Sequence, residues 1–258
     1  MTQNLMDFRY LFHTEIDTQK ATERELHGWL TKYPEIINVL FHAAYFTGRV
    51  DDPQSADGTF QAFAHHHLLR FPYTVRAAAI LLESGYYLET VSVLRNMYEV
   101  LVQMRYFHRH KDQVMAHALR QKRVRFRTMF DEIAPGFYDP MYARLLSEYA
   151  HGGLGSMIFR TSYSAADKGT TLMGCHFDAD LCTFSLNQIS VVLCGWLTYI
   201  PIFFPAFPTN APRDLLGKRQ SALDWLREGM DQHVKMKPIT KEFYDLVEPI
   251  ISEQKSDH

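Results

Sequence analysis

Apolar residues recur at three- and four-residue steps along most of the chain, which is the spacing of helices burying one face. From Ile16 to Tyr45 the positions Leu26, Trp29, Leu30, Ile36, Ile37, Leu40 and Phe41 predict one or two amphipathic helices, interrupted near Pro34. The Asp-, Ser-, Gly- and Pro-rich stretch Gly48 to Gly58 predicts a loop. Val75, Ala78, Ala79 and Leu82 predict a helix over Tyr73 to Ser84 that stops at Gly85. The clearest period follows, from Tyr86 to His110, through Leu88, Val91, Leu94, Tyr98, Leu101, Val102 and Tyr106. The short turn at Gly85 folds these two helices into an antiparallel hairpin.

Further on, the pattern predicts one helix from Asp112 to Ile133, ending before Pro135-Gly136, and another opened by Pro140 and stopped after His151 by Gly152-Gly153. Between Leu154 and Phe177 the helical period fails. Two β-friendly runs, SMIFRTSY and TTLMGCHF, predict an irregular segment or a small β-hairpin. Helices are expected again from Asp180 to Tyr199, from Arg213 to His233 and from Thr240 to Ser252. The expected fold class is therefore all-α: a single helical bundle over 1–258 with an insertion around 154–177. Its parts are N-terminal helices at 16–47, a bundle core at 59–151 and C-terminal helices at 180–256.

Ile189 to Phe207 contains no charge and is long enough to span a bilayer. Pro201 and Pro205 interrupt its last third, and no second apolar stretch exists for it to pair with, so a central core helix is expected and no membrane. The net charge of −2 and pI near 6.7 give no global pull toward nucleic acid. Any such preference must be local. Three cysteines, Cys175, Cys182 and Cys194, form neither a CxxC pair nor a zinc spacing, and Met1 to Phe12 lacks the apolar core of a signal peptide. A cytoplasmic setting is expected.

One local concentration of charge stands out. Arg120, Lys122, Arg123, Arg125 and Arg127 follow one another without an acid, which suits either a solvated surface or phosphate binding. A second group lies in YARLLSEYAHGG. On an α-helix Arg144 and His151, seven residues apart, share a face with Ser147 between them. There an imidazole can take the proton of a ribose 2′-hydroxyl while the guanidinium stabilises the developing phosphate charge. The competing reading makes His151 a cation at a helix C-terminus and pairs Arg144 with Glu148. A third group, Arg95, Asn96 and Glu99, interrupts the most apolar helix face. It is either a structural pair or, with His151, the supporting polar network of one site.

Metal readings fall short. Glu148-x-x-His151 supplies half of a di-iron template that Glu83, Glu89 and Glu99 could extend, but the second Glu-x-x-His is missing. His65, His66 and His67 are consecutive and cannot face one ion from a helix. Cys175-His176 with Cys182 lacks a fourth ligand, so no metal and no cofactor are expected. The chain has no GxGxxG after a strand, no Walker A loop, no HExxH and no GxSxG.

With LLESGYYLETVSVLRNMYE and YARLLSEYAHGG in view, the chain resembles an uncharacterised bacterial helical family, and more distantly the HEPN superfamily of helical bundles. The likeness covers Tyr73 to Gly153. It implies a homodimer that binds or cleaves RNA without metal in a bacterial defence or stress system, using Arg-x4-6-His at a dimer cleft. Arg144 and His151 match that motif at its longest spacing as the catalytic pair. Leu145 stands where the family has a small polar residue, and a long helical extension follows the histidine. Two other classes remain open: a non-catalytic scaffold held in register by Arg95, Glu99 and His151, and a metal-dependent bundle oxidase.

Overall fold

The computed structural model describes residues 8–48, 52–136, 138–147, 161–162, 170–171 and 175–233. Three long helices open the chain: α1 (Phe8–Thr47), α2 (Ala56–Glu83) and α3 (Tyr87–Arg109). The short α4 (Val114–Ala118) and α5 (Phe126–Ile133) follow, then a π-helix over Tyr138–Ser147. The apolar α6 (Ala179–Phe203), the single turn α7 (Phe207–Asn210) and α8 (Arg213–His233) complete it. The described residues are all-α apart from Thr161–Ser162, which pairs antiparallel with Thr170–Thr171. The rest of the expected 154–177 insertion up to residue 174, and the helix expected at Thr240 to Ser252, lie outside them.

Helix α1 is kinked, but not where proline predicts. It passes through Pro34 unbroken and leaves helical geometry at Leu26, with φ −116° and ψ 21°. Helix α2 begins at Ala56, well before the expected Tyr73. Ser55 caps it, its hydroxyl accepting from the Gly58 amide at 3.0 Å, and Asp57 in the first turn complements the helix dipole. At the α2–α3 turn Gly85 has φ +79°, and a Cβ there would lie 2.9 Å from the His176 carbonyl oxygen. Only glycine meets both conditions without strain.

The core is laid between α1, α2, α3, α6 and α8. Leu40, Leu68, Val75, Leu94, Phe107, Ile189 and Trp196 are all inaccessible or nearly so. Helix α2 packs between α1 and α3, while α6 packs against α3, α8 and α2. Tyr98 donates to Gln188 at 2.8 Å, joining α3 to α6. Helix α6 alone among the described helices is long and apolar enough to cross a membrane, and half of its most apolar window is buried in this fold.

Proline shapes α6 as well. The helix continues through Pro201 to Phe203, and because Pro201 has no N–H, the Leu197 carbonyl loses its usual donor four residues on. Arg219 of α8 takes that role, with Nη1 donating to the Leu197 oxygen at 2.7 Å. A backbone defect in one helix thereby fixes the position of another.

Candidate functional site

The single helix expected over Asp112 to Ile133 is broken. After one tight turn at Lys111–Gln113 and the five residues of α4, the chain runs irregularly to Arg125 before α5 begins. Arg120 takes the left-handed conformation, φ 58°, and the amides of Gln121 and Lys122 both close onto the Ala116 carbonyl. Like-charge spacing disfavours a continuous helix here. A continuous helix would stack Arg120 on Arg123, Lys122 on Arg125 and Arg123 on Arg127, and each like-charge pair at such spacing is destabilising.

The outcome is a loop with its cations outward. Arg120, Lys122, Arg123 and Arg125 are exposed, and none has an acid within ion-pairing distance among the described residues. Arg127 differs from them. Its Nε lies 3.6 Å from Asp131, its Nη2 donates to Asp139 at 3.1 Å, and its guanidinium rests 5.1 Å over the Tyr138 ring.

Immediately after the loop, Phe126 enters an aromatic cluster with Phe130, Tyr138 and Tyr142, the Phe126 and Tyr142 centroids being 4.6 Å apart. Tyr142 is 5% exposed, and its hydroxyl joins the two charges of α3. Arg95 Nε donates to Glu99 at 2.9 Å and to the Tyr142 oxygen at 3.1 Å, and the Tyr142 hydroxyl donates to Glu99. Burial, reinforced by Glu99, pushes the Tyr142 phenol up to about 12, so it stays a donor at any physiological pH. Arg95 and Glu99 are thus brought together as the i,i+4 spacing predicts. The tyrosine completing the triad lies 43 residues away, beyond any local pattern.

Asn96 does not join them. It is exposed on another side of α3 and lines a shallow groove with Arg70, Tyr73, Thr74 and Ser92. Arg144 and Ser147 belong to the π-helix, and their side chains lie outside the described residues, as does His151 entirely. One premise of the Arg144–His151 spacing changes here. Tyr138–Ser147 winds in wider turns than an α-helix, so seven residues are not two turns over the part of that segment described.

Compared with known protein families, curated proteins and solved structures, the chain matches none.

The remaining chemistry-bearing residues are dispersed. Among the described residues no three His, Cys, Asp or Glu side chains gather as metal ligands would. His65 is held by Thr47 at 3.3 Å, His67 stands edge-on to Phe63, and His66 is exposed. Burial pushes the thiol of Cys182 up to about 12 and that of Cys194 up to about 11, which removes both as nucleophiles at neutral pH.

Proposed function

We propose that this is a HEPN-like RNA-binding protein that engages RNA phosphates through Arg120, Lys122, Arg123 and Arg125, with Arg144 and His151 as the cleaving pair. The observation that carries the reading is continuity. An acid-free, outward-facing cationic loop leads directly into the aromatic cluster bordering the π-helix on which Arg144 lies. Phosphate binding by such a loop is electrostatic and independent of sequence, which suits an enzyme acting on single strands. Cleavage then needs no metal: imidazole removes the 2′-hydroxyl proton, the 2′-oxygen attacks the adjacent phosphorus, the P–O5′ bond breaks to leave a 2′,3′-cyclic phosphate, and the departing 5′-oxygen takes a proton back from the imidazolium or from water while the guanidinium balances the charge on the phosphoryl oxygens. A homodimer would set two such loops about one cleft.

The test is cleavage of a single-stranded RNA in the presence of a chelator, comparing the wild-type chain with His151→Ala. Loss of cleavage in the variant with retained binding is expected. Equal cleavage by both proteins removes the catalytic assignment.

A second reading is favoured by the Arg95–Glu99–Tyr142 triad, which ties α3 to the π-helix whatever happens at His151. In it the protein is a scaffold and the triad holds register. Tyr142→Phe then lowers stability by about 1–2 kcal/mol, the loss of a shared buried hydroxyl, and leaves RNA affinity as it was. A variant that melts like the wild type argues against a structural role for that hydroxyl.

A further inference from the structure

Helix α4 has two sides. Val114 is 1% exposed, and the His117 ring lies on the buried Phe107 of α3 with centroids 4.6 Å apart, so these two residues face the bundle. Burial holds the His117 imidazole below its usual range, which leaves it neutral at pH 7. Met115 and Leu119, one turn apart, take the other side and are 52% and 59% exposed. Leu119 is the most exposed large aliphatic side chain among the described residues. Val124 and Phe126, farther along the same segment, pack against the core. Apolar residues here can reach the interior, and these two do not.

The end of α4 ties the pair to the cations. The Arg120 amide closes on the His117 carbonyl at 2.9 Å and the Gln121 amide on the Ala116 carbonyl at 2.8 Å, with Arg120 left-handed between them. Those are the paired bonds of a Schellman cap. Glycine adopts the left-handed conformation without strain, and an arginine stands there instead. The exposed Arg120 therefore follows Leu119 across a fixed turn, Lys122, Arg123 and Arg125 come next, and no acid occurs between Asp112 and Asp131.

Phosphates satisfy the cations but offer nothing to Met115 and Leu119. Bases do. In a single strand their faces are open to side chains, and leucine and methionine are among the residues that wedge against base steps. In a duplex those faces are already stacked, while its denser phosphates would make charge alone favour it. We propose that Met115 and Leu119 form an apolar platform for the unstacked bases of a single strand whose phosphates lie on Arg120, Lys122, Arg123 and Arg125. The inference rests on the RNA reading and adds its specificity, because preference for single strand over duplex then comes from two apolar side chains.

The probes are a short labelled oligouridine, an abasic strand and an RNA duplex of the same length, read by fluorescence anisotropy on the full chain. Wild type should bind the oligouridine about 10-fold more tightly than the abasic strand, which carries the same phosphates. Leu119→Ser should bind those two alike, keep the wild-type slope of log affinity against log salt, and leave duplex affinity unchanged. Met115→Ser should act in the same direction. Both side chains are exposed, so wild-type melting temperatures are expected and serve as the control. Absence of oligouridine binding, or a salt slope near zero, removes the RNA reading and this inference with it. Salt-dependent binding that is equally tight for the abasic strand, or undiminished in Leu119→Ser, overturns this inference alone. Binding to phosphatidylserine vesicles that Leu119→Ser abolishes, with oligouridine binding unaffected, assigns the pair to a lipid surface and overturns it too.

Discussion

Replacing Arg123 and Arg125 together by glutamine isolates the electrostatic claim from every other part of the proposal. Four loop cations, Arg120, Lys122, Arg123 and Arg125, are exposed with no acid partner among the described residues, whereas Arg127 is committed to Asp131 and Asp139. Each phosphate neutralised on a single strand contributes about −0.7 to the slope of log affinity against log salt, so four predict a slope of roughly −2.8. The double variant retains two and predicts about −1.4. Between 50 and 200 mM salt, affinity then falls about 50-fold for the wild type and only about 7-fold for the variant. Fluorescence anisotropy of a labelled single-stranded RNA over that range reads both slopes directly. Since the substituted side chains are exposed, the fold should be indifferent to the change, and the melting temperature serves as the control. An unchanged slope in the variant would refute the placement of RNA on this loop, whatever the absolute affinity.

Three further expectations concern the scaffold. Burial, with His66 and Arg70 adding to it, depresses His67 to about 4, so between pH 4 and 6.5 the unfolded chain binds the extra proton. Stability is therefore full above pH 6.5 and is lost as pH falls toward 4. Denaturant titrations should show a decline on the order of 2 kcal/mol that His67→Phe flattens. Arg219→Ala should cost about 1–3 kcal/mol by orphaning the Leu197 carbonyl; adding Pro201→Ala restores an intrahelical donor and should recover part of the loss, and strictly additive effects would contradict the coupling. Gly85→Ala should lower stability by at least about 1 kcal/mol, because φ is +79° and the new methyl meets the His176 carbonyl; a calorimetric scan unchanged from wild type would count against that turn.

Legibility in the sequence followed the continuity of the period. Helix α3 was readable to within a residue at each end and α8 over its full range, because nothing in either competes with the three- and four-residue step. Helix α2 was readable only in its second half. Phe60, Ala64, Leu68 and Phe71 carry the period from the start, but Pro72 and the three histidines obscure it. Pro34 and Pro201 do not break their helices where the pattern predicts a break. Pro34, Pro72 and Pro201 all lie inside helices, where each costs one backbone hydrogen bond, and at Leu197 an arginine from another helix takes the freed carbonyl. The broken helix at 119–125 was within reach of the sequence, because its cations fall at helical like-charge spacing. At the candidate site, Arg95 with Glu99 followed from i,i+4 geometry. Tyr142 could not, because partners 43 residues apart are chosen by tertiary packing alone.

The bond from Arg219 to Leu197 also bears on how the chain is made. Helix α6 ends at Phe203 with α2 and α3 already made, yet α8, which covers its remaining side, runs to His233, 30 residues later. At roughly 5–20 residues per second of synthesis, the α8-facing side of α6 waits on the order of seconds for its cover, and the Leu197 carbonyl for its arginine donor. By length and composition alone α6 also meets the criterion for a membrane span. Ribosome-bound intermediates truncated before α8 should therefore be captured by chaperones more readily than the full chain.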